Sequence, residues 1–139
     1  ISFLQALSNK PVPGAVIAMF HYADIAVLEK EESKAIDLYR KIYENQEIKQ
    51  VLRDLAKFKT FFLIKGNEDS ASTLLDELSS PDCVFNLLAQ EQRALYLIET
   101  NDFKGADEVL ELIINNPTAS DVLISRAKEL KEALGYSGK

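Results

Sequence analysis

Three alanines set the terms for this chain: Ala35, Ala71 and Ala106 stand 36 and 35 positions apart. Each lies five residues after the start of a polar turn, namely Lys30-Glu31-Glu32, Gly66-Asn67-Glu68 and Asn101-Asp102-Phe103. Each turn follows a long amphipathic stretch, and each alanine opens a shorter one. A period of this length is the mark of a repeat whose unit is one supersecondary element stacked on its neighbours. Two antiparallel helices come closest near the turn that joins them. A small side chain there lets the backbones approach, and a larger one would hold them apart.

The apolar spacing predicts three helix pairs. The first runs over 15–29 and 33–45, with Ile36, Tyr39, Ile42 and Tyr43 at helical spacing around Ala35 and Leu38. Pro13 suits the start of its first helix, where a missing N–H costs nothing, and Ser33 is the expected N-cap of its second. The second pair runs over 48–65 and 69–78, ending before Pro81-Asp82. The third runs over 84–99 and 103–115 and is closed by Asn116-Pro117, because the residue before a proline is pushed out of helical geometry. A last helix over 120–134 has Ser120 and Asp121 to cap it and Gly135 for a left-handed C′ position. Its one apolar face and one charged face suit the end of a stack. Phe3, Leu4, Ala6 and Leu7 look like the tail of a further helix. Ala23 and Ala94 are the expected small partners of Ala35 and Ala106, whereas the second pair has Lys59 at that place.

The bulk numbers agree with one all-helical domain over 1–139, with repeats at about 15–46, 48–80 and 84–116. Five Gly and four Pro are too few for a β-sandwich. With 47% apolar and 27% charged residues, the chain has the composition of a folded globular protein. A net charge of −6 and the lack of any basic run argue against nucleic acid as a partner. A lone Cys83 excludes an internal disulfide. No apolar run nears the roughly 20 residues of a membrane span. The chain starts at Ile1 without a methionine, which reads as a fragment whose anchor lies outside it.

At Ala23, Ala35 and Tyr39, and again at Ala94, Asn101-Asp102-Phe103 and Ala106, the chain resembles a tetratricopeptide repeat. This resemblance implies a right-handed solenoid of about three helix pairs plus a C-terminal capping helix. A narrower likeness covers most of the chain. Leu52-Arg53-Asp54-Leu55-Ala56, the turn Lys65-Gly66-Asn67, the pair Leu74-Leu75, Leu88-Ala89 with Glu91, and Ser125-Arg126-Ala127 with Leu130 resemble, in order, segments of a bacterial tetratricopeptide-like family. Members of that family have a short cytoplasmic start, one membrane-spanning helix and a periplasmic repeat domain, and are associated with the inner-membrane Sec translocon and periplasmic chaperones. The resemblance implies a membrane-tethered domain on the periplasmic face of a bacterial inner membrane, whose partners are translocon subunits, chaperones or secreted clients. Lys57 and Lys59 stand where the family often has Arg, and Phe61-Phe62 is bulkier than its usual pair.

Catalytic chemistry finds little to work with. His21 is the only histidine, so no His-rich metal site or His dyad forms within one chain. Cys83 has no second thiol and reads as a small buried residue. The carboxylates Glu31-Glu32, and Glu108 with Glu111, fall in a turn and on a helix face, where solvation accounts for them better than acid–base work does. Gly66, Gly105, Gly135 and Gly138 are isolated, so no phosphate loop exists. The expectation is a non-catalytic protein-interaction module with no cofactor or metal. The alternative is a scaffold that self-associates as a homo-oligomer. Repeat proteins bind along the surface lined by the first helix of each pair. That places Phe20, His21 and Asp24, then Lys57 and Thr60, then Glu91, Gln92 and Leu95 in the expected groove, with Phe20 as an exposed aromatic anchor. One lysine there is too few for a clamp on a partner's C-terminal carboxylate.

Overall fold

The structure is a computed structural model and describes residues 13–135; the apolar set at Phe3, Leu4, Ala6 and Leu7 lies outside them. Seven helices fill the described residues, with no strand among them: α1 (Pro13–Leu28), α2 (Glu32–Tyr43), α3 (Gln50–Ile64), α4 (Glu68–Leu78), α5 (Asn86–Glu99), α6 (Phe103–Ile114) and α7 (Asp121–Leu134). The fold is all-α. It divides into two compact units, Ile1–Leu78 and Ser79–Lys139. In the first unit α1 packs on α2, α2 on α3 and α3 on α4; in the second α5 packs on α6 and α6 on α7. No helix of the described residues is long and apolar enough to cross a membrane.

The three alanines hold one place in their helices. The N–H of Ala35, Ala71 and Ala106 each donates to the carbonyl four residues earlier, of Glu31, Asn67 and Asp102, at 3.1, 3.0 and 3.0 Å. Their side chains are 0, 5 and 0% exposed. The turns before the first and third alanine are also alike in their hydrogen bonds. After α1 the N–H of Lys30 donates to Val27 O at 3.0 Å and that of Glu31 to Ala26 O at 2.8 Å. After α5 the N–H of Asn101 donates to Ile98 O at 3.0 Å and that of Asp102 to Leu97 O at 2.8 Å. This crossed pair is a Schellman closure, which needs a left-handed residue at C′. Lys30 and Asn101 supply it, at φ 62° and 66°. The turn between α3 and α4 is built differently: Asn67 N–H donates to Ile64 O at 2.7 Å, and Gly66 stays outside the left-handed region.

Helix starts follow the caps that are made. Ser120 accepts from Leu123 N–H at 3.2 Å and starts α7, which ends on left-handed Gly135 at φ 63°. Asp102 accepts from Gly105 N–H at 2.9 Å and starts α6. A Cβ on Gly105 would sit 2.7 Å from that carboxylate, so the glycine leaves room for the cap. Ser33 is not an N-cap. It falls inside the first turn of α2, because the Schellman closure already turns the chain at Lys30 and makes Glu31 the cap residue. Two first helices begin later than their apolar pattern. Ile48 is buried in the core ahead of α3, and Val84 is exposed ahead of α5.

The first unit buries Met19, Ala23, Ala26, Leu38, Tyr39 and Ile42 around Ala35, joined by Ile48 and Ala56. The second buries Ala94, Leu110, Ile113, Leu123 and Ala127. Ala23 and Ala94 are fully buried, as small partners should be. In α3 the small buried residues are Ala56 and Thr60, 0 and 2% exposed, while Lys59 stays half-buried and reaches Asp24 on α1, Nζ to Oδ1 3.2 Å. Ala56, one turn before Lys59, belongs to the core shared with α1 and α2.

Candidate functional site

The expected groove residues serve several different purposes. Phe20 is half-buried, not exposed, and its ring lies 6.2 Å from that of buried Tyr39. Asp24 accepts the hydroxyl proton of Tyr39 and pairs with Lys59. Burial first, then the hydrogen bond and charge of Asp24, push the Tyr39 phenol well above its ordinary pKa, so it stays protonated. Thr60 is buried, and its hydroxyl donates to Ala56 O at 2.8 Å. Lys57 is half-buried with Nζ 3.1 Å from Glu77 on α4. In the second unit Glu91 is buried and takes both arms of Arg126 on α7 at 2.8 Å. Gln92 and Leu95 are half-buried, and His21 is exposed. Phe20, Asp24 and Glu91 thus join helices to each other and Thr60 bonds back within α3, which leaves His21 and, in part, Lys57, Gln92 and Leu95 to face outward.

A second tether runs beside that of Glu91: Lys131 on α7 reaches Asp107 at 2.6 Å and Glu111 at 3.6 Å. Cys83 is buried, as its small size suggested, in the turn before α5, where its carbonyl accepts from the Asn86 amide at 2.9 Å. No cluster of three or more His, Cys, Asp or Glu side chains that could hold a metal occurs among the described residues.

The first unit does form a groove, and the second helices flank it. Ile36, Arg40 and Tyr43 of α2 face Ser70, Thr73, Leu74 and Glu77 of α4 across a floor made by Thr60, Leu63 and Ile64 of α3. The turn residues Gly66 and Asn67 complete it, and the space measures about 650 Å³. That volume suits a few side chains of a ligand or a short peptide. Of the expected residues only Thr60 reaches this groove. Its two walls were visible as spacing: 36, 40 and 43 share one face of a helix, as do 70, 74 and 77. The first helix of the second pair, α3, supplies the floor, and the walls come from second helices.

No family model, curated protein or solved structure matches the chain.

Proposed function

We propose that this chain is a non-catalytic protein-interaction module built from tetratricopeptide-like helix pairs, and that the first unit holds part of a partner polypeptide in the groove between α2 and α4. The carrying observation is that groove: an apolar floor of Leu63 and Ile64 under a polar rim of Arg40, Asn67, Ser70 and Thr73. Side chains with that layout bind apolar groups from below and orient main chain or polar groups from above. The recurrence of the same Schellman turn at Lys30 and Asn101, with buried alanines at matching places, supports the tetratricopeptide-like reading and, with it, a right-handed solenoid capped by α7. The resemblance at Leu52–Ala56 adds a setting: a tether to a bacterial inner membrane, with the domain in the periplasm attending translocon subunits, chaperones or secreted clients.

Crosslinking the full-length tagged protein in cells, then extracting membranes and identifying what is joined to it, tests this reading. Translocon subunits or periplasmic chaperones in the crosslinked material are the expected result. Recovery of cytosolic enzymes would overturn the setting, and recovery of no second protein would overturn the interaction module itself. Self-association is the second reading, favoured by the outward face of α1, where Ile17 and Leu28 are 66 and 82% exposed. Light scattering of the domain over a range of concentrations decides it, since a monomer at all of them excludes it.

A further inference from the structure

The charges around the groove are unevenly matched. Among the described residues that line it, Arg40 and Glu77 are the charged ones. Glu77 is held by Lys57 at 3.1 Å, so the acidic wall is neutralised within the fold. Arg40 is not matched in that way. Its nearest carboxylate, Asp37, is 3.6 Å away in an i,i+3 pair whose side chains are 49 and 69% exposed, a geometry that contributes little in water. The guanidinium also hydrogen-bonds the hydroxyl of Tyr43, another lining residue, which raises its already high pKa. Asp37 on the same helix and Glu44 at its C-cap also act on it by charge, both from exposed positions, and five N–H donors in a planar fork still exceed what the Tyr43 hydroxyl and the 3.6 Å contact with Asp37 can use. On a chain of net charge −6, Arg40 places a guanidinium on the rim of an apolar floor.

We infer that the groove takes a peptide segment that carries a carboxylate next to apolar side chains, with Arg40 receiving the carboxylate and Leu63, Ile64 and Leu74 receiving the apolar groups. The inference rests on the interaction-module reading and narrows it to one ligand chemistry. A basic segment would meet Arg40 with like charge and find Glu77 already occupied by Lys57. An uncharged apolar segment would fill the floor and leave the guanidinium partly desolvated without a partner, which is costly. An acidic-apolar segment satisfies both. Its carboxylate gains a charge-assisted, two-armed hydrogen bond of the kind arginine forms best.

Two pools of fluorescein-labelled octapeptides test this. Each has Leu, Ile or Phe at two positions; one flanks them with Asp or Glu, the other with Lys or Arg. The expected result is that anisotropy reports binding of the acidic pool alone, weakening as salt is raised. Arg40→Glu should lower that binding by about tenfold or more, the scale of a hydrogen bond to a charged group, and move the preference to the basic pool. Arg40→Lys should retain part of the binding. Because Arg40 is half-exposed, both variants should keep the parent's helical circular dichroism. Equal binding of the two pools, no binding of either, or an Arg40→Glu variant that still prefers the acidic pool would overturn the inference. The wider reading is tested apart from it: a crosslinked partner retained in full by Arg40→Glu would leave the interaction module standing and remove this groove from it.

Discussion

At the scale of single residues, the fold's least comfortable position is Lys30. A non-glycine residue in the left-handed region carries a cost of roughly 1–2 kcal/mol from its Cβ, and Lys30 sits there at φ 62° because the Schellman closure of α1 demands it. Asn101 meets the same demand at φ 66°, with a side chain that tolerates it better. Lys30→Gly should therefore stabilise the protein by about 0.5–1 kcal/mol, the gain being reduced by the extra freedom glycine gives the unfolded chain. Asn101→Gly should gain less. Denaturant midpoints at unchanged slope measure both, and a destabilised Lys30→Gly would mean that the lysine side chain has a partner of its own. Neither left-handed residue was legible as such, since sequence reading looks for glycine at C′ and only Gly135 obliges. The alanines were legible, because a small residue at a helix contact has few substitutes. Ala106 is fully buried, so Ala106→Leu should cost on the order of 1–3 kcal/mol through overpacking. A melting curve unchanged by that substitution would remove the packing argument for the repeat.

At the scale of elements, α7 shows how a helix with a small apolar face is held. Its fully buried apolar residues are Leu123 and Ala127 alone. Two ion pairs add to them, Glu91 with Arg126 and Asp107 with Lys131. These pairs are asymmetric: the Glu91 side chain is 10% exposed and that of Arg126 is 49%. Removing Arg126 strands a buried carboxylate, whereas removing the charge of Glu91 leaves a guanidinium that water can reach. Arg126→Leu should thus cost about 1–3 kcal/mol, and Glu91→Gln about 1 kcal/mol or less. Hydrogen exchange should show faster opening of the α7 amides in the arginine variant than in the glutamine variant; equal protection would place the stability of α7 in its apolar face. The helices themselves were readable to within two residues because their apolar periods are long and unambiguous. Ser33 misled because a cap residue is defined by the turn before it, which neither Lys30 nor Glu31 announces. The groove was missed for a related reason. Its walls lie on α2 and α4, and its floor on the end of α3, so it exists only once three helices have packed. Glu91 was read as surface because its partner, Arg126, lies 35 residues away on another helix and cannot be assigned from spacing along one helix face.

At the scale of the whole molecule, each unit contains a group that ties its stability to alkaline pH. In the first unit the Tyr39 phenol is held neutral, by burial before all else and then by Asp24. In the second the Lys131 ammonium is held charged, chiefly by its hydrogen bond to Asp107, against the opposing effect of desolvation. Both pKa values are raised in the folded state, so both groups act in the same direction. Below the unfolded values, near 10 for tyrosine and 10.4 for lysine, folded and unfolded chains carry the same protons and neither group makes stability depend on pH. Above them the unfolded chain loses the tyrosine and lysine protons first, and the equilibrium moves toward it until the folded pKa is passed. Stability should consequently be level with respect to these groups up to about pH 10, then fall, with Tyr39 contributing up to about 1.4 kcal/mol per pH unit. Replacing Tyr39 by Phe and Lys131 by Arg removes both titrations while keeping the ring and the positive charge. Urea midpoints of the double variant between pH 8 and 11.5 should be lower at the start, for want of the hydroxyl bond to Asp24, and flatter at the end. Two curves that fall in parallel above pH 10 would mean that other tyrosines and lysines carry the alkaline transition, and that Tyr39 and Lys131 have the same pKa in the folded chain as in the unfolded one.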